Sequence, residues 1–208
     1  MARMTAAERR EILIDAAIAV MSREGVPHTT TRAIVAEADM QIGVFQYCFR
    51  SKEELILEVM KEISHRSSVA VESAISAGTE PSEIIRFAVE AYWNHIESHP
   101  LEHLLSYELT SYALRQPGTE VAAVAQYDYY FSVMGELLRK AADIGGFEWS
   151  TSLDVLAPTV LATIEGVTFQ YLVCKDADKA KAVLGQLVDH LSRDAGIYDS
   201  VDSAPTSA

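Results

Sequence analysis

Residues 25–55 decide the fold. They run Gly25-Val26-Pro27-His28-Thr29-Thr30-Thr31-Arg32-Ala33-Ile34, then, from position 38, Ala38-Asp39-Met40-Gln41-Ile42-Gly43-Val44-Phe45-Gln46-Tyr47-Cys48-Phe49, then Ser51-Lys52-Glu53-Glu54-Leu55. Gly25 and Pro27 end a preceding helix, whose apolar stripe is Leu13, Ala16, Ala17, Val20 and Met21. Thr30 is placed to N-cap a short helix over Thr31–Ala38. Asp39-Met40 breaks the pattern, and a second short helix follows from Gln41 to Phe49. Ser51 with Glu54 forms a capping box that opens a long helix. Two short helices joined by a tight turn and braced by a third make a helix-turn-helix. Ile34, Ala38, Phe45 and Phe49 are spaced to form its small core. The last of its helices is slim enough for a DNA major groove about 12 Å wide.

Working outward, helix signals continue to the end of the chain. The helix from Ser51 runs to about Ala77, and Pro81 opens one reaching Ser98. Pro100 opens the next, which stops at Gln116-Pro117-Gly118. A long helix from Thr119 reaches Ile144, before Gly145-Gly146. Thr151-Ser152-Leu153-Asp154 starts a helix that is apolar on most sides, as burial on both faces requires. The last helix, Asp176–Asp194, carries Leu184, Leu187, Val188 and Leu191 on one stripe, and Asp199–Ala208 reads as a disordered tail. With no credible strand pair, the expected fold is all-α with about nine helices. A helix-turn-helix domain over residues 1–50 is joined to a larger helical domain over 51–198.

Composition sets the boundaries of function. The 208 residues carry a formal charge of −13, with 49% hydrophobic and 23% charged residues, ordinary for a globular chain. Residues 1–52 hold seven Lys and Arg against six Asp and Glu, a balance of +1. The remainder holds ten against twenty-four, −14, which completes the total of −13. Only the first quarter approaches a polyanion without strong repulsion. Two cysteines, Cys48 and Cys174, make neither a disulfide framework nor a four-ligand zinc site. The most apolar stretch, Leu153–Cys174, is interrupted by Asp154, Pro158 and Glu165 and falls short of a membrane span. No secretion signal precedes the first helix, so a cytoplasmic protein without membrane contact is expected. His95, His99 and His103 recur every fourth residue, but Pro100 separates them, so no metal site is expected. No phosphate loop, nucleophile set or paired-carboxylate motif points to an enzyme or a cofactor.

The stretch resembles the TetR-type transcriptional regulators. Their pattern is a Gly after helix one, Thr opening helix two with an Ile-Ala pair inside it, a Gly-x-Leu-Tyr-x-x-Phe recognition helix, and Ser-Lys-Glu-x-Leu opening helix four. Here Asp39 replaces the usual turn Gly, Val35 the usual Ala and Gln46 the usual Tyr. The resemblance implies phosphate contacts from Thr30, Thr31, Arg32 and Lys52, and groove contacts from Gln41, Ile42, Val44 and Tyr47, with Gln46 beside them; Gly43, lacking a side chain, lets the backbone approach the phosphates. Arg3, Arg9 and Arg10 are candidates for further DNA contacts. With no Arg or Lys between Gln41 and Phe49, readout would use Gln41 or Gln46 on adenine, and Ile42 or Val44 on thymine methyls.

The same resemblance implies a homodimer reading a palindromic operator, with small-molecule release from DNA. Leu161, Ile164, Thr168, Tyr171, Leu172, Leu184, Leu187, Val188 and Leu191 are the expected interface. Tyr92, Trp93, His103, Tyr107, Glu108, Tyr112, Tyr127, Phe131, Glu165 and Phe169 are the expected inducer contacts. Aromatic residues at helical spacing are more often core than pocket. An all-α enzyme, or a helical scaffold for protein partners, is the alternative reading.

Overall fold

The computed structural model describes residues 4–78, 80–115 and 120–197. Arg3, the breaker at Gln116-Pro117-Gly118, the Thr119 start and the tail from Asp199 lie outside the described residues. The helices are α1 (Ala6–Glu24), α2 (Thr31–Glu37), α3 (Ile42–Cys48), α4 (Lys52–Ala77), α5 (Pro81–Ser98), α6 (Pro100–Arg115), α7 (Glu120–Gly145), α8 (Leu153–Cys174) and α9 (Ala177–Asp194). The described residues contain no β-strand. The all-α, nine-helix expectation holds, and α5 gives way to α6 at Pro100, as the missing proline N–H requires.

The chain packs as two units, Met1–Ser67 with Ile96–Tyr130, and Ser68–His95 with Phe131–Ala208. In the first unit, Thr5 and Glu8 form a reciprocal capping box that opens α1. The α1 stripe of Leu13, Ala17 and Met21 is fully buried. It packs in one core with Ile34 of α2, Phe45 of α3, Phe49, Leu55 of α4, and Leu105 and Leu109 of α6. Thr30 caps α2 by accepting the Ala33 amide at 3.1 Å. Asp39 takes the left-handed conformation, φ 51°, which short polar side chains tolerate better than most. The Met40 amide then returns to the Val35 carbonyl at 2.8 Å, closing the turn. Arg66 of α4 pairs with Asp15 of α1, Glu62 of α4 and Glu102 of α6, tying three helices together.

In the second unit, α8 packs against α9 through Leu156, Val160, Ile164, Leu184, Leu187 and Leu191, all buried. Asp194 at the end of α9 accepts from the Ser150 hydroxyl (2.7 Å), the Thr151 hydroxyl (2.6 Å) and the Thr151 amide (3.2 Å). Burial pushes its carboxyl up, but these donors outweigh that and hold it below its usual value. Helix α8 continues past Pro158. By length and composition it is apolar enough to cross a membrane, with mean hydropathy 1.2, which Asp154, Pro158 and Glu165 had argued against. Its Leu156, Val160, Leu161 and Val167 are buried, as in a core helix.

Candidate nucleic-acid interface

Helix α3 has only seven residues, too few to persist alone, and it has no side-chain N-cap. Packing fixes it from below. Phe45 and Phe49 are buried with ring centroids 5.6 Å apart. Arg10 fixes its far end: the guanidinium donates to the Cys48 carbonyl at 2.6 Å, satisfying an otherwise orphaned helix-end acceptor. It also donates to Glu54 Oε1 at 3.2 Å and lies 4.2 Å from the Phe49 ring centroid. Glu54 completes the knot, since its Oε2 accepts the Arg50 amide at 2.9 Å while its own amide donates to Ser51 Oγ at 3.2 Å. The reach-back of the expected capping box therefore lands one residue early, on Arg50. That backbone donor, with the Arg10 hydrogen bond, holds the Glu54 carboxyl below its usual value against the opposing effect of burial.

What remains outward on α3 is uncharged. Gln41, Ile42, Gly43, Gln46 and Tyr47 are exposed, Tyr47 at 72% and Ile42 at 44%. Val44 is half-buried and leans on the core. It borders an open groove of about 430 Å³ that also takes in Arg9, Asp39 and Gln41. On α2, Thr30 and Arg32 are exposed and Thr31 half-buried. Arg23 is paired with Glu24 and Glu37 and Arg10 with Glu54 and Glu58. Among the described residues Arg9, Arg32 and Arg50 carry no ion pair. Arg10, expected to be free for DNA, is spent on the architecture of α3.

Lys52 is half-buried, its ammonium donating to the carbonyls of Val26 (3.2 Å) and Thr29 (2.6 Å). Burial lowers its pKa, which the neighbouring Glu53 partly opposes. Two of its three N–H donors thus hold the α1–α2 loop and one is left for another acceptor.

The ten residues expected to meet a ligand divide between the units. His103, Tyr107, Glu108, Tyr112 and Tyr127 lie in the first, and Tyr92, Trp93, Phe131, Glu165 and Phe169 in the second. In the first, Glu108 accepts the Val26 amide at 2.9 Å. Sequence reasoning missed a polar ladder between α6 and α7. Gln126, buried, donates to the Tyr130 hydroxyl at 2.6 Å and lies 2.8 Å from the Thr110 hydroxyl, while Ser106 and Tyr130 hydroxyls are 3.1 Å apart. Gln126 and Tyr130, four apart on one helix, were the available signal.

In the second unit Trp93 is 4% exposed and its indole N–H has no acceptor. Its ring meets the edge of Tyr171 at 4.8 Å. Tyr92 and Thr168 hydroxyls are 3.4 Å apart. Phe131 and Phe169 are exposed.

The residues expected at a dimer interface are largely used within the chain. Leu161, Ile164, Thr168, Leu184, Leu187 and Leu191 are buried, and Tyr171, Leu172 and Val188 are half-buried. The outer face of α8 instead shows Val155, Thr159, Ala162, Gly166, Phe169 and Val173, three or four residues apart, and α9 shows Ala182, Gly185 and Asp189. A Cβ placed on Gly166 or Gly185 would meet nothing within 4 Å.

Residues 13–59 match the model of the bacterial regulatory proteins of the tetR family. Over 187 residues, 90% of this chain and 95% of the relative, the chain is 25% identical to the HTH-type nicotine-responsive transcriptional repressor HdnoR of Paenarthrobacter nicotinovorans. Its fold superposes with TM-score 0.76 on a TetR-family regulator from Rhodococcus sp., covering 89% of this chain and 98% of that one at 17% identity. The multidrug binding protein EbrR, solved with imidazole, is 26% identical with TM-score 0.59, covering 86% of this chain and 94% of that one.

Proposed function

Because this chain belongs to the TetR family of bacterial regulatory proteins, we propose that it is a cytoplasmic transcriptional repressor that grips a palindromic operator as a homodimer and lets go when a small molecule binds. Its relatives are transcription regulators, not enzymes. The observation that carries the reading is the outward face of α3, uncharged and exposed on a helix locked from beneath by Phe45, Phe49 and Arg10. A helix held this firmly, with Ile42 and Tyr47 in solvent, makes sense when its partner is a groove.

In this reading residues 1–50 form the DNA-binding domain, and residues 51–198 carry ligand binding and dimerisation. Gln41, Ile42, Val44, Gln46 and Tyr47 meet base edges, and Gly43 lets the backbone approach a phosphate. Thr30, Thr31, Arg32 and the third donor of Lys52 meet phosphates. The two half-sites lie one helical turn apart, about 34 Å. The small-residue stripe of α8, with Ala182 and Gly185 of α9, supplies the mating face, since small residues let backbones approach closely. That face replaces the buried leucines as the expected interface.

For the inducer, the buried Trp93 N–H is the clearest unspent polar handle. Nicotine and imidazole, the molecules associated with HdnoR and EbrR, are the first compounds to titrate against Trp93 fluorescence.

The test is selection of genomic fragments on the purified protein, followed by affinity against salt. Log affinity should fall linearly with log salt, with a slope that counts neutralised phosphates. Retention of no fragment, or a flat salt response, would falsify the reading.

A further inference from the structure

Glu108 lies on α6, yet its partner is the backbone just ahead of α2. Its Oε1 accepts the Val26 amide at 2.9 Å. The carbonyl of the same residue receives the Lys52 ammonium at 3.2 Å. A carboxylate thus faces the N–H end of this residue and a cation its C=O end, so the two charges polarise the intervening backbone in the same sense. Val26 is fully buried. Without Glu108 its amide would have no water to turn to.

The residues around this bond are built for it. Gly25 has φ 81°, a conformation L side chains rarely adopt, and a Cβ there would come within 3.3 Å of Glu108 Oε1. Thr29, also buried, donates its hydroxyl to the Gly25 carbonyl at 2.8 Å. The Gly25 amide returns to Met21 at 2.8 Å. The loop is therefore tied to α1, α4 and α6 at once. The residue after Thr29 is Thr30, the cap of α2. A hydrogen bond of 2.9 Å tolerates little lengthening. A shift of α6 by about an ångström must either carry the loop with it or break the bond.

We propose that Glu108 is the positioning residue through which α6 sets the entry angle of α2, and with it the pitch of α3 on DNA, acting on a backbone amide and not on a small molecule. The inference rests on the DNA-binding reading above and adds how the helical body controls the reading head.

The experiment uses the full chain, an operator fragment selected from genomic DNA, and two derivatives with one base pair added or removed between half-sites. E108Q keeps an oxygen acceptor and should bind the operator within about threefold of wild type. E108A removes the acceptor and should bind about tenfold more weakly. It should also discriminate several-fold less against the altered spacings, because an untethered head re-angles. A general loss of stability would weaken binding without relaxing spacing preference. Hydrogen exchange at the Val26 amide should be slow in wild type and E108Q, and at least tenfold faster in E108A. Wild-type spacing preference in E108A, or fast Val26 exchange in wild type, overturns the proposal. The wild-type exchange measurement decides it even where E108A does not fold. Wild-type protein that retains no operator defeats the DNA-binding reading itself, whereas wild-type binding with indifferent variants defeats this inference alone.

Discussion

Helices α2 and α3 have seven residues each, whereas α8 has 22 and α9 has 18. The long pair is held by its buried leucines and valines over many turns, with polar ties such as Asp194 to Thr151 at one end. The short pair has too little apolar area for that. Besides Ile34, Phe45 and Phe49 in the core, it relies on single polar contacts drawn from other helices: Arg10 to the Cys48 carbonyl, Lys52 to the Thr29 carbonyl and Glu108 to the Val26 amide. Burial spread over a long interface tolerates the loss of one atom group. A short pair with one such tie at the end of α3 and two on the loop before α2 tolerates it less. The region that must present side chains at a set angle is thus the one whose geometry hangs on individual hydrogen bonds.

The widest separation between the two regions comes from Gly166→Leu combined with Gly185→Leu. Both positions open onto empty space, so the melting temperature of the protomer should hardly change. Sedimentation should show monomers, and operator affinity should drop at least a hundredfold as the second half-site is lost. A dimer persisting at micromolar concentration would exclude this face as the interface. Next in size is Phe49→Ala, which removes a ring 2% exposed from the first-unit core and its stacking with Arg10. Denaturant unfolding should register a loss of about 3–5 kcal/mol.

Arg10→Ala sharpens the contrast further. The Arg10–Glu54 pair is about a third exposed, so the ion pair itself contributes at most about 1 kcal/mol. Operator affinity should still fall about tenfold, because the end of α3 loses its tether. Equal small losses in both measurements would mean that Arg10 does not orient the helix. The smallest effect is acid sensitivity. The Glu54 carboxyl is held below its ordinary value of 4.5 by the Arg50 amide. A depressed folded-state value means the stabilisation is complete above the unfolded value and is lost as pH falls through the folded one. Amide exchange at Arg50 should therefore speed up only below about pH 4.5, and E54Q should abolish that step.

Much of the molecule was legible in its sequence because the signals were local. Gly25, Thr30, Pro81 and Pro100 mark helix ends through backbone chemistry that acts within a few residues. Asp39 was readable as a left-handed turn residue for the same reason. The ties that orient the head were not legible. Glu108 and Val26 are 82 positions apart, and no spacing rule links a glutamate to a backbone amide that distant. Arg10 looks the same in sequence whether it meets a phosphate or a helix end. Which face of α8 is outward was not legible for a different reason. A helix apolar all round gives no phase to its burial. Leu156, Leu161 and Ile164 turn inward, leaving Ala162, Gly166, Phe169 and Val173 outside.

The neutrality of α3 separates two properties that many DNA readers combine in one element. Charges able to grip the sugar-phosphate chain sit on Arg9, Arg32 and Arg50, while Gln41, Ile42, Gln46 and Tyr47 contribute none. Exchanging those four for others would redirect the protein to a new address while leaving its ionic hold untouched, so that strength and destination become independently adjustable.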